Sequence, residues 1–285
     1  MYKYGYLIAP SWNCDKKTLK DALNFLNKIN ISPIYRRDIN SKSHSYSGDM
    51  SRRAGEINQA YANKKAGIIF SIQGGYGATQ IINKLDYNLI KKSKKVIVGS
   101  SDITIILNSI FKKTNSRCIH GPNLNKNFKE FDKKTLDSLI DAISKKNYAV
   151  RFNQDDIIVK GISKAEIIGG NLSLIERSIG TEFEVDTKGR ILFLEDVRLK
   201  EGYLLDLLWH LKLAGKFDKV KGIILGSFND CGIYVNESLR IFFNNFKVPV
   251  IFNQPIGHTE PNISVPLGEI CTIDTDKKTW KINFD

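Results

Sequence analysis

The sequence predicts an α/β protein: a parallel sheet flanked by helices in the first half, and a second half richer in strands. Three observations carry this. Short apolar runs alternate with amphipathic stretches through the first half, as when crossover helices join parallel strands. Two of those runs end in small-residue turns, Gln73-Gly74-Gly75-Tyr76-Gly77 and Gly99-Ser100-Ser101. Apolar runs continue through the second half with one strongly apolar helix between the first two.

Taken in order, Tyr4–Ala9 is a strand, and Lys16–Lys28 a helix whose Leu19, Leu23, Leu26 and Ile29 recur at helical steps. Ile31–Tyr35 is the second strand. A serine-rich stretch over Asn40–Asp49 reads as a mobile loop, followed by a helix over Ser51–Asn63 and a strand over Gly67–Ser71. A further helix ends in the lysines 91, 92, 94 and 95, before the strand that begins at Val96. A helix over Asp102–Phe111 leads to a strand over Arg117–Ile119. Asp132–Lys145 is a surface helix with Leu136, Leu139, Ile140 and Ile143 on one face. The region Asn147–Lys164 reads as a strand-containing connection, which divides the chain into units over 1–146 and 165–285. Beyond it, strands are expected at Arg190–Leu194, Gly222–Gly226, Val248–Phe252 and Glu269–Ile273. The leucine-rich helix Tyr203–Leu213 is expected to be buried or at an interface.

A chain of 285 residues, 42% of them hydrophobic, can bury a normal core. The apolar start is broken by Pro10, so no secretory signal is expected, and the longest uncharged run, Ala66–Asn83, holds four glycines and is no membrane span. A cytoplasmic protein without a membrane partner is expected. The net charge of +13 is spread over the chain, with no basic stripe of the kind that binds nucleic acid. Cys14, Cys118, Cys231 and Cys271 show neither zinc nor disulfide spacing, and His44, His120, His210 and His258 are too scattered for a helical metal site. Reduced thiols and no metal are expected.

The chemistry concentrates at strand ends, where parallel sheets bind ligands. Ser101 follows an apolar strand and precedes a helix. Read alone it is a helix cap, but the same position suits a nucleophile beside unpaired N–H groups. A serine nucleophile needs a base and a carboxylate to orient it. Two histidines compete for the first role: His258, in the rigid Pro255-Ile256-Gly257-His258 loop, and His120, before Gly121-Pro122. Glu195 and Asp196 compete for the second, at the end of an apolar strand and on its opposite faces. Gly74-Gly75 lets the backbone approach a substrate closely and matches no nucleotide-binding motif.

Together these motifs resemble the LD-carboxypeptidase family of serine peptidases, which includes the microcin C immunity peptidases. The matching pieces run in family order: Ile8-Ala9-Pro10-Ser11, Gly74-Gly75-Tyr76-Gly77, Gly99-Ser100-Ser101-Asp102, His120-Gly121-Pro122, Gly169-Gly170-Asn171-Leu172, Leu194-Glu195-Asp196 and Pro255-Ile256-Gly257-His258. The resemblance implies a Rossmann-like N-terminal domain, a β-rich, barrel-like C-terminal domain and a homodimer. It implies Ser101 as nucleophile, His258 as base and Glu195 as its orienting carboxylate, with the N–H groups of Gly75 and Asp102 as oxyanion hole. Gln73, Gly74, Tyr76 and Ser100 become substrate-binding candidates. The implied substrate is a murein stem tetrapeptide, hydrolysed without metal or organic cofactor. Gln73 stands where the family commonly has arginine, Ser100 where it usually has an aromatic residue, and Leu204 and Leu207 where arginines are expected.

Overall fold

The computed structural model describes residues 2–125 and 130–284. In chain order its strands are β1 (Tyr4–Ile8), β2 (Ser32–Ile34), β3 (Ile68–Ser71), β4 (Val96–Gly99), β5 (Cys118–His120), β6 (Tyr148–Arg151), β7 (Ile157–Val159), β8 (Ile162–Asn171), β9 (Ile191–Val197), β10 (Gly222–Asn229), β11 (Val250–Ile251), β12 (Val265–Pro266), β13 (Ile270–Asp274) and β14 (Thr279–Asn283). The α-helices are α1 (Lys16–Lys28), α2 (Met50–Ala62), α3 (Tyr87–Ser93), α4 (Thr104–Thr114), α5 (Lys133–Ser144), α6 (Leu172–Glu176), α7 (Glu201–Leu213) and α8 (Val235–Phe243).

The first sheet has the order β12-β5-β4-β3-β1-β2, parallel from β5 to β2, with β12 antiparallel to β5. Every residue of β3 and β4 is buried, because helices cover both faces of a parallel sheet. The second sheet has the order β6-β14-β13-β8-β9-β10-β11-β7; its strands from β8 to β11 are parallel and the rest antiparallel. The order ends in β6 and β7. Three helices, α6 to α8, complete this half.

Helix starts follow local capping. Asp15, Asp49 and Asp132 accept backbone hydrogen bonds at the first turns of α1, α2 and α5. Two expectations need correction, the start of the helix at Asp102 and the mobile serine-rich loop. The helix expected from Asp102 begins as a 3-10 turn over Ser101–Ile103 and becomes α-helical at Thr104, because Ser101 has φ 61°, which no α-helical residue adopts. The serine-rich loop is pinned: Ser43 and Tyr46 exchange backbone hydrogen bonds of 3.0 Å, and the buried Ser47 hydroxyl donates to the Ile39 carbonyl. The stretch 147–164 supplies β6 and β7 to the second sheet. In α7, Leu204, Leu207, Leu208 and Leu211 are buried while Tyr203, Trp209 and Leu213 are exposed. All four cysteines are buried free thiols.

Candidate active site

The site begins where β4 ends. Ser100 is extended, and Asn123, just past β5, clamps it: the Asn123 amide donates to the Ser100 carbonyl (3.2 Å) and hydroxyl (3.3 Å), and its oxygen accepts the Ser100 N–H (3.3 Å). The chain then turns sharply through Ser101 at φ 61°. A left-handed conformation is costly for a side-chain-bearing residue and persists where its surroundings enforce it. Ser101 is therefore no helix cap. Ser101 lines the cleft.

Asp102 turns inward. Its Oδ2 accepts the Ser11 hydroxyl (2.7 Å) and the Ala78 N–H (2.8 Å), tying the loops after β1 and β3 to the serine turn. Burial pushes its carboxyl up from the ordinary value, opposed by those two donors and by Arg177 and Arg53. Gly74 lies directly over the serine. A Cβ on Gly74 would sit 2.9 Å from Ser101 Cβ and 3.0 Å from its Oγ, and one on Gly75 would strike Trp12 at 2.6 Å. Only glycine permits both approaches. Gln73 is not free: its amide donates to the Asn13 carbonyl (2.6 Å). Tyr76 is exposed and stacks edge-on against Trp12, with ring centroids 5.7 Å apart.

The two histidines and the two carboxylates left open by residue type are placed differently. Glu195 is wholly buried near the end of β9, and its Oε2 lies 2.7 Å from His258 Nδ1. Burial raises the Glu195 carboxyl, but His258, with His120 and Asn171, more than reverses this, and the net direction is down. Burial alone would depress the His258 imidazole. The hydrogen bond and charge of Glu195, with Asp196 behind it, outweigh burial and the opposing Arg198, so its pKa is raised. Asp196 is engaged elsewhere, accepting the Ser173 N–H (2.9 Å) and hydroxyl (2.7 Å) at the start of α6. His120 is fully buried in β5 and does not reach the cleft. His258 does, with its side chain 30% exposed. No hydrogen bond joins it to Ser101 among the described residues; without substrate such contacts are often long.

Gly257 makes the imidazole–carboxylate pair possible. It has φ 97°, and a Cβ there would lie 2.2 Å from Glu195 Oε2. The His258 carbonyl accepts from the Asn229 side chain (2.6 Å), and Asn262 holds the Gly257 N–H (2.9 Å). Ser101, Ser100, Gly74, Gly75, Tyr76, Gln73 and His258 line one cleft of about 880 Å³, together with Trp12, Arg177 and Arg198. Residue type and spacing did not single out Asn123, Trp12, Arg177 or Arg198. Their only sequence signal is adjacency to a recognised motif, and Arg177 lacks even that. Among the described residues no group of side chains could hold a metal ion, and no helix is long and apolar enough to cross a membrane.

Two family models cover most of the chain: the LD-carboxypeptidase N-terminal domain matches residues 6–121 and the LD-carboxypeptidase C-terminal domain residues 164–273. The chain belongs to the LD-carboxypeptidase family. It is a serine-type carboxypeptidase hydrolase. The "Probable murein peptide carboxypeptidase" of Bacillus subtilis (strain 168) is 28% identical, covering 96% of this chain and 89% of its own. The microcin C7 self-immunity protein MccF of Escherichia coli is 30% identical over 83% of this chain and 79% of its own. The structure of MccF in complex with glutamyl sulfamoyl guanosine superposes with a TM-score of 0.90 at 26% identity, covering 100% of this chain and 97% of that one.

Proposed function

We propose that this LD-carboxypeptidase releases the terminal D-alanine from murein tetrapeptides, as a cytoplasmic homodimer in peptidoglycan recycling. In this reading the unit over 1–146 carries the nucleophile and the unit over 165–285 the other two triad members. Ser101 Oγ attacks the carbonyl of the bond before D-alanine, and His258 Nε2 takes the hydroxyl proton. Glu195 holds His258 through Nδ1–H, fixing the tautomer that leaves Nε2 free to accept. The tetrahedral oxyanion is met by the N–H groups of Gly75 and Asp102. His258 then gives its proton to the departing amine, and water, activated by the same imidazole, releases the acyl group from Ser101. The observation that supports this best is the 2.7 Å His258–Glu195 contact in the cleft that Ser101 faces from a strained turn. The cleft's cations, Arg177 and Arg198, suit the substrate's terminal carboxylate, since Gln73 is committed to Asn13.

A second reading has its own support. Trp12 and Tyr76 are 46% and 57% exposed at the cleft, and such aromatics could stack on the base of an aminoacyl-nucleotide, as an immunity-type peptidase requires. A non-catalytic binding protein is disfavoured, because a binding cleft needs neither a strained serine nor an oriented imidazole.

The test is mass spectrometry of wild-type and Ser101→Ala protein with a defined disaccharide tetrapeptide and, in parallel, an aminoacyl sulfamoyl adenosine. Loss of one alanine by the wild type, slowed roughly three to six orders of magnitude in Ser101→Ala, is expected. Cleavage of the nucleotide compound alone selects the second reading. A fully active Ser101→Ala protein overturns both.

A further inference from the structure

His120 is the one buried imidazole beside the site that the proposed reaction does not use. It is 0% exposed, as is Glu195. Its Nε2 lies 4.0 Å from Glu195 Oε1, on the opposite side of the carboxylate from His258. Among the described residues neither ring nitrogen of His120 has a hydrogen-bond partner, and neither does Glu195 Oε1. Three buried polar atoms without a protein partner in one spot are unusual. Their placement is not slack. The ring is fixed edge-on against Phe193 of β9, with centroids 5.2 Å apart. The His120 backbone pairs with Gly99 of the nucleophile strand on one side and with Val265 of β12, which follows the His258 loop, on the other. One residue thus sits where the serine strand, the carboxylate strand and the return from the histidine loop converge.

We propose that His120 is a positioning residue for the hydrolysis, its Nε2–H dipole facing Glu195 Oε1 across 4.0 Å so that Oε2 stays aimed at His258 Nδ1. The inference rests on the triad reading above. A carboxylate anchored mainly through one oxygen can rotate about its last torsion. A dipole facing its other oxygen biases that torsion and, with it, the imidazole plane. His120 transfers no proton. Burial depresses its pKa to about 4, Glu195 opposing and His258 adding to that fall, so it stays neutral where a serine–histidine site works. It supplies a dipole to Glu195 and leaves the carboxylate's charge free to favour the His258 imidazolium. The other charged groups near the pair are Asp196 and Arg198, both acting on His258.

Replacement by the two carboxamides isolates the donor. The amide nitrogen introduced by His120→Gln reaches the place of Nε2, whereas that introduced by His120→Asn reaches only the place of Nδ1; the two are equally polar. On a substrate that Ser101→Ala cannot cleave, His120→Asn is expected to lower kcat on the order of tenfold or more, with KM within about twofold. His120→Gln is expected to recover most of that loss. Equal kcat in the two variants, or a loss confined to KM, overturns the proposal. Both carboxamides are compared at matched melting temperature, so a fold defect shared by both cancels. If Ser101→Ala itself is active, the triad reading fails. If Ser101→Ala is inactive and the carboxamides are indistinguishable, only the role of His120 fails.

Discussion

Gly257→Ala tests whether the imidazole–carboxylate pair sets the rate. The new Cβ would sit 2.2 Å from Glu195 Oε2 and 2.5 Å from its Cδ and Cγ. Ordinary contact needs more than 3 Å, so the carboxylate must retreat by about 1 Å. That takes its 2.7 Å bond to His258 beyond hydrogen-bonding range. A bond of this type contributes about 1.5–3 kcal/mol, so kcat should fall at least roughly 10- to 100-fold. Complete loss of orientation sets an upper limit near 10⁴-fold. Strain at φ 97° adds roughly 1–2 kcal/mol to the folded state, a drop in Tm of about 2–8 °C for a chain of this size. Steady-state kinetics on the tetrapeptide, with a melting curve for each variant, separate the two effects. In a Glu195→Ala background the Gly257 substitution should cost nothing further in kcat, because its target has gone. A Gly257→Ala enzyme with kcat within twofold of wild type, or losses that multiply in the double variant, would refute the reasoning.

Two further outcomes follow from the same geometry. In the proposed reaction His258 must be neutral to accept the serine proton, and its pKa in the folded protein is raised by Glu195; activity should therefore rise with pH through a limb lying above the ordinary imidazole value of about 6.5, and a kcat/KM profile flat down to pH 5 would contradict this. Gly74→Ala puts a methyl 3.0 Å from the Ser101 hydroxyl; kcat should fall about 10- to 100-fold with little change in Tm, and an unchanged kcat would show that the serine has room the structure does not give it.

The alternation of the first half was legible because strands such as β3 and β4 are buried on both faces and so read as unbroken apolar runs. The second half was read less well for the opposite reason. The ten residues of β8 begin with a half-exposed stretch and end fully buried, so neither period dominates. The two-residue β11 and β12 are too short to leave any pattern. At the site, Ser101 was legible as the end of an apolar strand, but its left-handed backbone was not, since serine carries no glycine's signal for φ above zero. Choosing Glu195 over Asp196 and His258 over His120 was beyond spacing. Adjacent strand residues face opposite ways; in the fold Asp196 lines the cleft and the buried Glu195 meets His258.

The pairing of β12 with β5 explains how such distant residues share a cleft. After His258 the chain does not return to the second sheet at once. It first lays Val265 against His120 and Pro266 against Ile119, at the edge of the first sheet. That short pairing, with Asn262 and Ser264 hydrogen-bonded to Thr135 and Ser138 of α5, straps the His258 loop to the half that carries Ser101. The parallel strands β3, β4 and β11 deliver their site groups beyond their C-terminal ends, and β9 holds Glu195 two residues before its own. The open cleft lies between those ends, and the strap anchors the chain just after the His258 loop to the half that carries Ser101. Weakening the strap should therefore cost rate before it costs fold.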